Sequence, residues 1–473
     1  MVFSSLEFIF RFLPIFLILY YITPGRYRNI VLLIGSLGFY SFGEPKHVLL
    51  ILLSIIVNYS IAVQIGKSKD IKQKKTMWLI LGLVYDLGML FFFKYINFMI
   101  DNINAMSHGI SNLQGVTKIH EIAPLSIALP LGISFYTFQV VSYVIDVYQG
   151  RIQAERSIFK FALYVSMFPQ LISGPIVTYS DIDVQLIDRK YSFKKFEKGL
   201  KIFIIGLGLK VLIADRIAFL WNDIQTIGFE SISTPLAWLG AIGYSLQLYF
   251  DFHGYTLMAI GVGKMIGFNL PNNFNHPYMS KSVTEFWRRW HITLGTWFKN
   301  YVYIPMGGNR RGTARLAFNL FIVWMLTGLW HGASWNYVLW GLLLFALIYI
   351  EKMFLKKKLD QSRFLARIYM LVIIPVSWML FAINNLSDVG TYFGRMFAVV
   401  PGINVNAYDF IKYVEMYKWL FLLGIFFSMP YAWRWFVKHE SSIPSIVFLV
   451  VVFWFSIYQL ANGSNNPFMY FKF

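Results

Sequence analysis

The chain contains no cysteine, so it forms no disulfide and offers no thiolate nucleophile or cysteine-based metal site. Charge is scarce too: 14% of the residues are Asp, Glu, Lys or Arg, against about 25% in soluble globular chains. That scarcity excludes an ordinary soluble enzyme. H-E-x-x-H, P-loop and G-x-S-x-G patterns are also absent, which removes the templates for zinc proteolysis, phosphate cradling and a serine nucleophile elbow. Gly261-Val262-Gly263 with Gly267 has the wrong third spacing for a dinucleotide fingerprint and lacks a βαβ context. It reads better as small residues that let helices pack closely. No internal repeat, Gly/Ser linker or separate soluble domain is visible, so residues 1–473 read as one integral-membrane domain.

What the chain has in quantity is apolar surface, with 57% hydrophobic and 19% aromatic residues. Apolar runs fall near 8–22, 29–42, 47–66, 77–100, 124–147, 202–222, 236–263, 316–330, 334–350, 368–384, 411–433 and 443–461. Several reach the roughly 20 residues that cross a bilayer core. The runs do not alternate as barrel strands would. The expected fold is therefore all-α: a polytopic helical membrane protein with about 11–12 transmembrane helices. The first run, Phe8 to Tyr21, lacks the basic flank of a signal peptide and reads as a retained membrane helix. Two further stretches, near 161–179 and 285–304, are apolar but interrupted. Phe168-Pro169-Gln170 and Ser173-Gly174-Pro175 should break a helix twice. Broken backbone at membrane depth must be sheltered by protein or line a cavity, so re-entrant or buried segments are expected there.

The net charge of +19 does not require a nucleic-acid partner, because cytoplasmic loops of membrane proteins retain Lys and Arg. Four basic clusters stand out: Lys67–Lys75, Arg151–Lys160, Arg189–Lys201 and Lys352–Arg367. Residues 223–235 hold no Lys or Arg, and 385–410 hold only Arg395. The alternation is coherent with an outer N-terminus and all four clusters inside.

Polar interest concentrates in 249–340. Tyr249-Phe250-Asp251-Phe252-His253-Gly254-Tyr255 sets an acid and a histidine in an apolar run, where they either pair or hydrogen-bond structurally. Thr284-Glu285-Phe286-Trp287-Arg288-Arg289-Trp290-His291-Ile292-Thr293-Leu294 follows. Read as one helix, its Trp287, Trp290, His291, Leu294 and Phe298 share a stripe at spacings of three or four. That directs His291 into the protein, although a histidine there is more often a hydrogen-bonded core residue. Tyr303-Ile304-Pro305-Met306-Gly307-Gly308-Asn309-Arg310-Arg311 precedes Thr327-Gly328-Leu329-Trp330-His331-Gly332-Ala333-Ser334-Trp335. His331 stands between two spans, and ionisable groups at membrane depth are functional candidates by default. Histidine titrates near neutrality, so it can take a hydroxyl proton and return it to a leaving group. Acyl transfer to an alcohol needs that base plus donors for the developing oxyanion. Indole N–H groups such as that of Trp330, Asn309 or backbone amides are the candidates for such donors. Most of the fifteen tryptophans read more simply as membrane-interface belts. Arg310 and Arg311 suit phosphates, though topology alone also explains them.

These motifs resemble signatures of the membrane-bound O-acyltransferases, and more narrowly the alginate and peptidoglycan O-acetyltransferase branch. Phe3-Ser4-Ser5, Ile133 to Gln139, Phe168 to Pro175 and Asn466 to Phe473 fit the same branch. The resemblance implies helices around a central funnel or tunnel in a multi-pass protein of the bacterial inner membrane. It implies His331 as the principal catalytic residue and His291 as the second. No metal or permanently bound cofactor is implied; acetyl-CoA is the expected donor, on the cytoplasmic side. The expected partners are an extracytoplasmic SGNH-type acetyltransferase or esterase and a polysaccharide acceptor. Where the branch commonly continues with Ser and Ser-Asp, this chain has His253 and Thr256-Leu257, so no role for an acid at 257 carries over. Two other functions compete with O-acetyl transfer: D-alanyl transfer to teichoic acid, and a transporter or flippase. Broken segments and buried histidines would serve a transporter as well, but paired repeats are not visible.

Overall fold

The structure, a computed structural model, describes residues 2–114, 121–310, 312–463 and 469. Among these residues there is no strand. The N-terminal part comprises α1 (Leu13–Ile22), α2 (Arg28–Gly43), α3 (Val48–Lys67), α4 (Lys72–Gln114) and α5 (Ile133–Gln149). Short elements follow: α6 (Ile158–Ser166), α7 (Phe168–Leu171) and α8 (Tyr179–Ile187). The centre holds α9 (Phe193–Gly208), α10 (Asp215–Ile227), α11 (Thr234–Met265), α12 (Val283–Arg289) and α13 (Ile292–Phe298). Next come α14 (Gly312–His331), α15 (Trp335–Ile350), α16 (Lys356–Gln361), α17 (Arg363–Ala382) and α18 (Leu386–Met396). The chain closes with α19 (Asp409–Ser428), α20 (Pro430–Lys438) and α21 (Ile443–Ala461). Serines mark many of the starts: Ser157, Ser192, Ser233, Ser282 and Ser362 each accept a backbone N–H in the first turn.

Among the described residues, six helices are long and apolar enough to cross a bilayer: α3, α4, α14, α15 with its continuation to Gln361, α17 and α21. A seventh crossing arises if α19 and α20, bent by 67° at Met429, count as one. The other long apolar runs became α5, α9–α10 and α11, which carry polar residues and lie largely inside the bundle. Almost every side of α11 is buried, as expected of a helix that is apolar all round. Its close neighbour is α9, and glycines set the distance. A Cβ on Gly206 would lie 2.6 Å from the Gly254 oxygen, and one on Gly261 2.6 Å from the Gly199 oxygen. The packing role read for Gly261 is therefore met.

The stretch near 161–179 breaks where the sequence says it should. α6 stops at Ser166, α7 is a single turn opened by Phe168-Pro169, and both lie in the core with Ser173-Gly174-Pro175. Tyr164 donates its hydroxyl to the Gln139 and Val177 oxygens (both 3.1 Å), tying the broken segment to α5. Some tryptophans serve the core and not an interface belt: Trp290, Trp340 and Trp378 are fully buried, with Trp290 and Trp378 ring centroids 5.0 Å apart.

Candidate active site

His331 is the last residue of α14 and is 4% exposed. Its ring lies among Trp330 (5.0 Å between centroids), Trp340 (5.2 Å) and Phe381 (5.2 Å). Small residues permit this crowding: a Cβ on Gly328 would lie 2.3 Å from the Tyr337 oxygen of α15. The carbonyls of the last turn of α14 lack intrahelical partners. Tyr95 donates its hydroxyl to the Leu329 oxygen (2.7 Å), and Lys94 Nζ donates to those of Trp330 (2.6 Å) and His331 (3.3 Å). Beside them is a cavity of about 100 Å³ lined by Lys94, Pro130, Gly132, Ser134, Trp330 and His331, among others.

His291 reaches the same place by a different route from the one the sequence suggested. The 284–298 stretch is not one helix. It ends at Arg289, Trp290 is extended, and His291 sits in the left-handed region at φ 45° and ψ 54° before α13 begins. A non-glycine residue there costs about 1–2 kcal/mol, so the surroundings must hold it. Ile292 N donates to the Asn273 oxygen (2.9 Å) and Asn275 N to the Arg289 oxygen (2.9 Å), pinning the break from both sides. Asn273 Oδ1 then accepts from Thr293 N (3.2 Å) and Thr293 Oγ1 (3.0 Å) and lies 3.2 Å from His291 Nδ1. A backbone N–H can only donate, so the Asn273 atom facing it is the oxygen. His291 Nδ1 is then the protonated nitrogen, and the lone pair of the neutral ring is on Nε2. Farther upstream, Glu351 accepts from Val283 N, Thr284 N (2.9 Å) and Thr284 Oγ1 (2.7 Å), which fixes the start of α12.

Trp330 joins the two histidines. Its ring lies 5.0 Å from that of His331 and 5.8 Å from that of His291. The two residues, forty positions apart in sequence, flank one indole, which lines the cavity together with His331. Residues 152–383 match the family model of the membrane-bound O-acyltransferases. A probable alginate O-acetylase of Azotobacter vinelandii is 36% identical over 100% of both chains. The chain belongs to the membrane-bound O-acyltransferase family. A peptidoglycan O-acetyltransferase of Helicobacter pylori is 36% identical, over 82% of this chain and 78% of that one. A teichoic acid D-alanyltransferase of Bacillus subtilis is 31% identical over 44% of this chain and 55% of its own. This protein is thus a multi-pass membrane O-acyltransferase, and the transporter alternative falls away.

The remaining candidates of this acyltransferase lie elsewhere. Asn309 and Arg310 are exposed in the loop before α14, held by the Asn319 side chain donating to the Gly308 oxygen (2.8 Å). Arg311 lies outside the described residues, as does most of the Asn466–Phe473 motif. The 20 residues of α14 separate this loop from His331 by about 30 Å at 1.5 Å per residue. Asn309 is therefore too distant to stabilise an oxyanion beside His331. Nor do Asp251 and His253 pair, since residues two apart on a helix do not face each other. Asp251 instead meets Lys210 Nζ (2.8 Å), which also meets Asp215 (2.5 Å), and it accepts from Met469 N (2.9 Å). His253 stacks on Tyr249.

Sequence reasoning missed Lys94, Asn273, Glu351 and the Lys210 cluster. A lysine inside the apolar run 77–100 was a readable signal, because charge at membrane depth is costly. Asn273 carried no signal, lying in an irregular segment whose partner is 18 residues away.

Proposed function

We propose that this acyltransferase moves acetyl groups from acetyl-CoA at the cytoplasmic face for O-acetylation of a cell-envelope or secreted polysaccharide. In this reading His331 is the general base, His291 supports the same centre, and residues 1–473 act as one unit in the bacterial inner membrane. The observation that carries it is the convergence of His331 and His291 on Trp330 beside a small cavity. A base between a hydroxyl and an acyl carbonyl accepts the proton as the new C–O bond forms and returns it to the leaving group. Full-length similarity to a probable alginate O-acetylase supports acetyl as the group moved and a polysaccharide as the acceptor; a secreted SGNH-type protein is the partner proposed for the onward transfer. The similarity to a D-alanyltransferase keeps D-alanyl transfer as a second reading, on about half of each chain.

Charge and length support the proposed direction. α4 begins at Lys72 and α14 follows Arg310, both at ends read as inward-facing. Lys94 lies 22 residues into α4 and His331 at the far end of α14, each about 30 Å along its helix from the basic end. The cavity thus lies at the middle of α4 and at the end of α14 away from Arg310, which suits delivery of acyl groups from inside to an outer acceptor. Arg310 and Arg311 remain suited to the donor phosphates, at the other end of the same helix. The test is His331→Ala in purified full-length protein, with folding checked by thermal shift. Acetyl-CoA turnover should fall by about 10²–10⁴-fold, the usual contribution of a general base. Near-normal turnover by a well-folded variant would overturn this reading.

A further inference from the structure

Lys94 has no part in that reaction as written, yet three observations single it out. It lies inside α4, on the wall of the same cavity as Ser134 and His331. Its Nζ donates to the Trp330 oxygen (2.6 Å) and makes longer contacts with the His331 oxygen (3.3 Å) and Ser134 Oγ (3.4 Å). Among the described residues it forms no ion pair with a carboxylate. A cation at membrane depth is disfavoured unless it is paired or functional. Capping the end of α14 needs only a neutral donor, as Tyr95 provides at Leu329. A lysine is therefore more than the cap requires. The cavity of about 100 Å³ is several times the minimum of about 10–15 Å³ that a single water needs, so it has room for a small acyl group.

We propose that Lys94 stabilises the oxyanion formed on the acyl carbonyl in this cavity, an assignment that rests on the transfer reaction above. The acceptor hydroxyl oxygen bonds to the carbonyl carbon of a thioester donor, and its proton passes to His331. The carbonyl π pair moves onto oxygen, beside Lys94 Nζ. Collapse of the oxyanion breaks the carbon–sulfur bond, and the departing thiolate takes the proton from His331. The two longer contacts of Nζ are those that a ligand oxygen replaces; the 2.6 Å bond to Trp330 holds the lysine in place. The charge so placed does what the distant Asn309 cannot.

Lys94→Gln keeps a donor for the Trp330 carbonyl and removes the charge, whereas Lys94→Arg keeps the charge. Purified full-length variants are compared for acetyl-CoA turnover and for binding of a non-reactive thioether analogue of acetyl-CoA, with His331→Ala in parallel. Loss of one oxyanion donor lowers kcat by about 10²–10³-fold, and that is the loss expected of Lys94→Gln. Analogue binding should change by less than about threefold, because the interaction arises only in the transition state. Lys94→Arg should recover at least about tenfold of the lost turnover by retaining the charge. Turnover of folded Lys94→Gln within about tenfold of the parent overturns the assignment. So does a parallel loss of analogue binding, or failure of both variants to accumulate, each of which marks a structural cap. If His331→Ala stays active while Lys94→Gln does not, the base assignment falls and that of Lys94 stands. If only His331→Ala is inactive, Lys94 is the one that falls.

Discussion

Replacing Asn273 by alanine tests how the left-handed kink at His291 is maintained. Asn273 is 1% exposed, and its Oδ1 serves Thr293 N, Thr293 Oγ1 and His291 Nδ1 together. The Thr293 hydroxyl still accepts from Ile176 N and can rotate, so its loss is small. The Thr293 N–H is fixed by the backbone, and a buried donor without an acceptor costs about 1–3 kcal/mol. Removing the amide also leaves a void, which adds to the cost. Together these give a loss of about 2–4 kcal/mol, with the main-chain bond from Ile292 to residue 273 retained. Asn273→Asp keeps an acceptor for all three donors and should lose less. The assay is chemical unfolding in detergent followed by acetyl-CoA turnover on the folded fraction. If His291 acts in the orientation that Asn273 sets, turnover of folded Asn273→Ala drops at least about tenfold, the equivalent of 1.4 kcal/mol. Parent-like stability together with parent-like turnover would refute both the accounting and the importance of the kink.

Three further outcomes follow from other parts of the bundle. Lys210→Met leaves Asp215 and Asp251 as neighbouring buried carboxylates and should destabilise by about 3–5 kcal/mol; an unfolding midpoint equal to the parent's would contradict that. Gly206→Val drives a side chain against the Gly254 backbone and should cost about 1–3 kcal/mol, whereas Gly38→Ala, with nothing within 4 Å of its Cβ, should be neutral or slightly stabilising. Because the chain lacks cysteine, Asp70→Cys gives a single label site; it should resist an impermeant thiol reagent in intact cells and react after permeabilisation.

The sequence by itself determined the solvent, the helical class and the break at 161–179. Composition and run length dictated a helical membrane protein, because only helices and closed barrels satisfy their backbone hydrogen bonds in a bilayer and the runs do not alternate as barrel strands would. Proline at 169 and 175 dictated interruptions at 161–179, and the fold shows them. Both candidate histidines were legible too, as ionisable residues with no topological reason to be there. Tertiary structure alone decided how they meet. Local periodicity predicts a continuous helix through 284–298, but pairing with Asn273 and Asn275 bends the chain at His291. That contact spans 18 positions, beyond any local pattern. The same holds for Lys94, which lies 237 positions from the His331 oxygen it contacts, and for Asp251, matched to Lys210 and not to the adjacent His253. Asn309 shows the converse: close to His331 in sequence, it is held a full helix length away. Sequence specifies which residues are costly to bury; only the packed bundle specifies which of them share the burial site, because that depends on helices brought together by long-range packing.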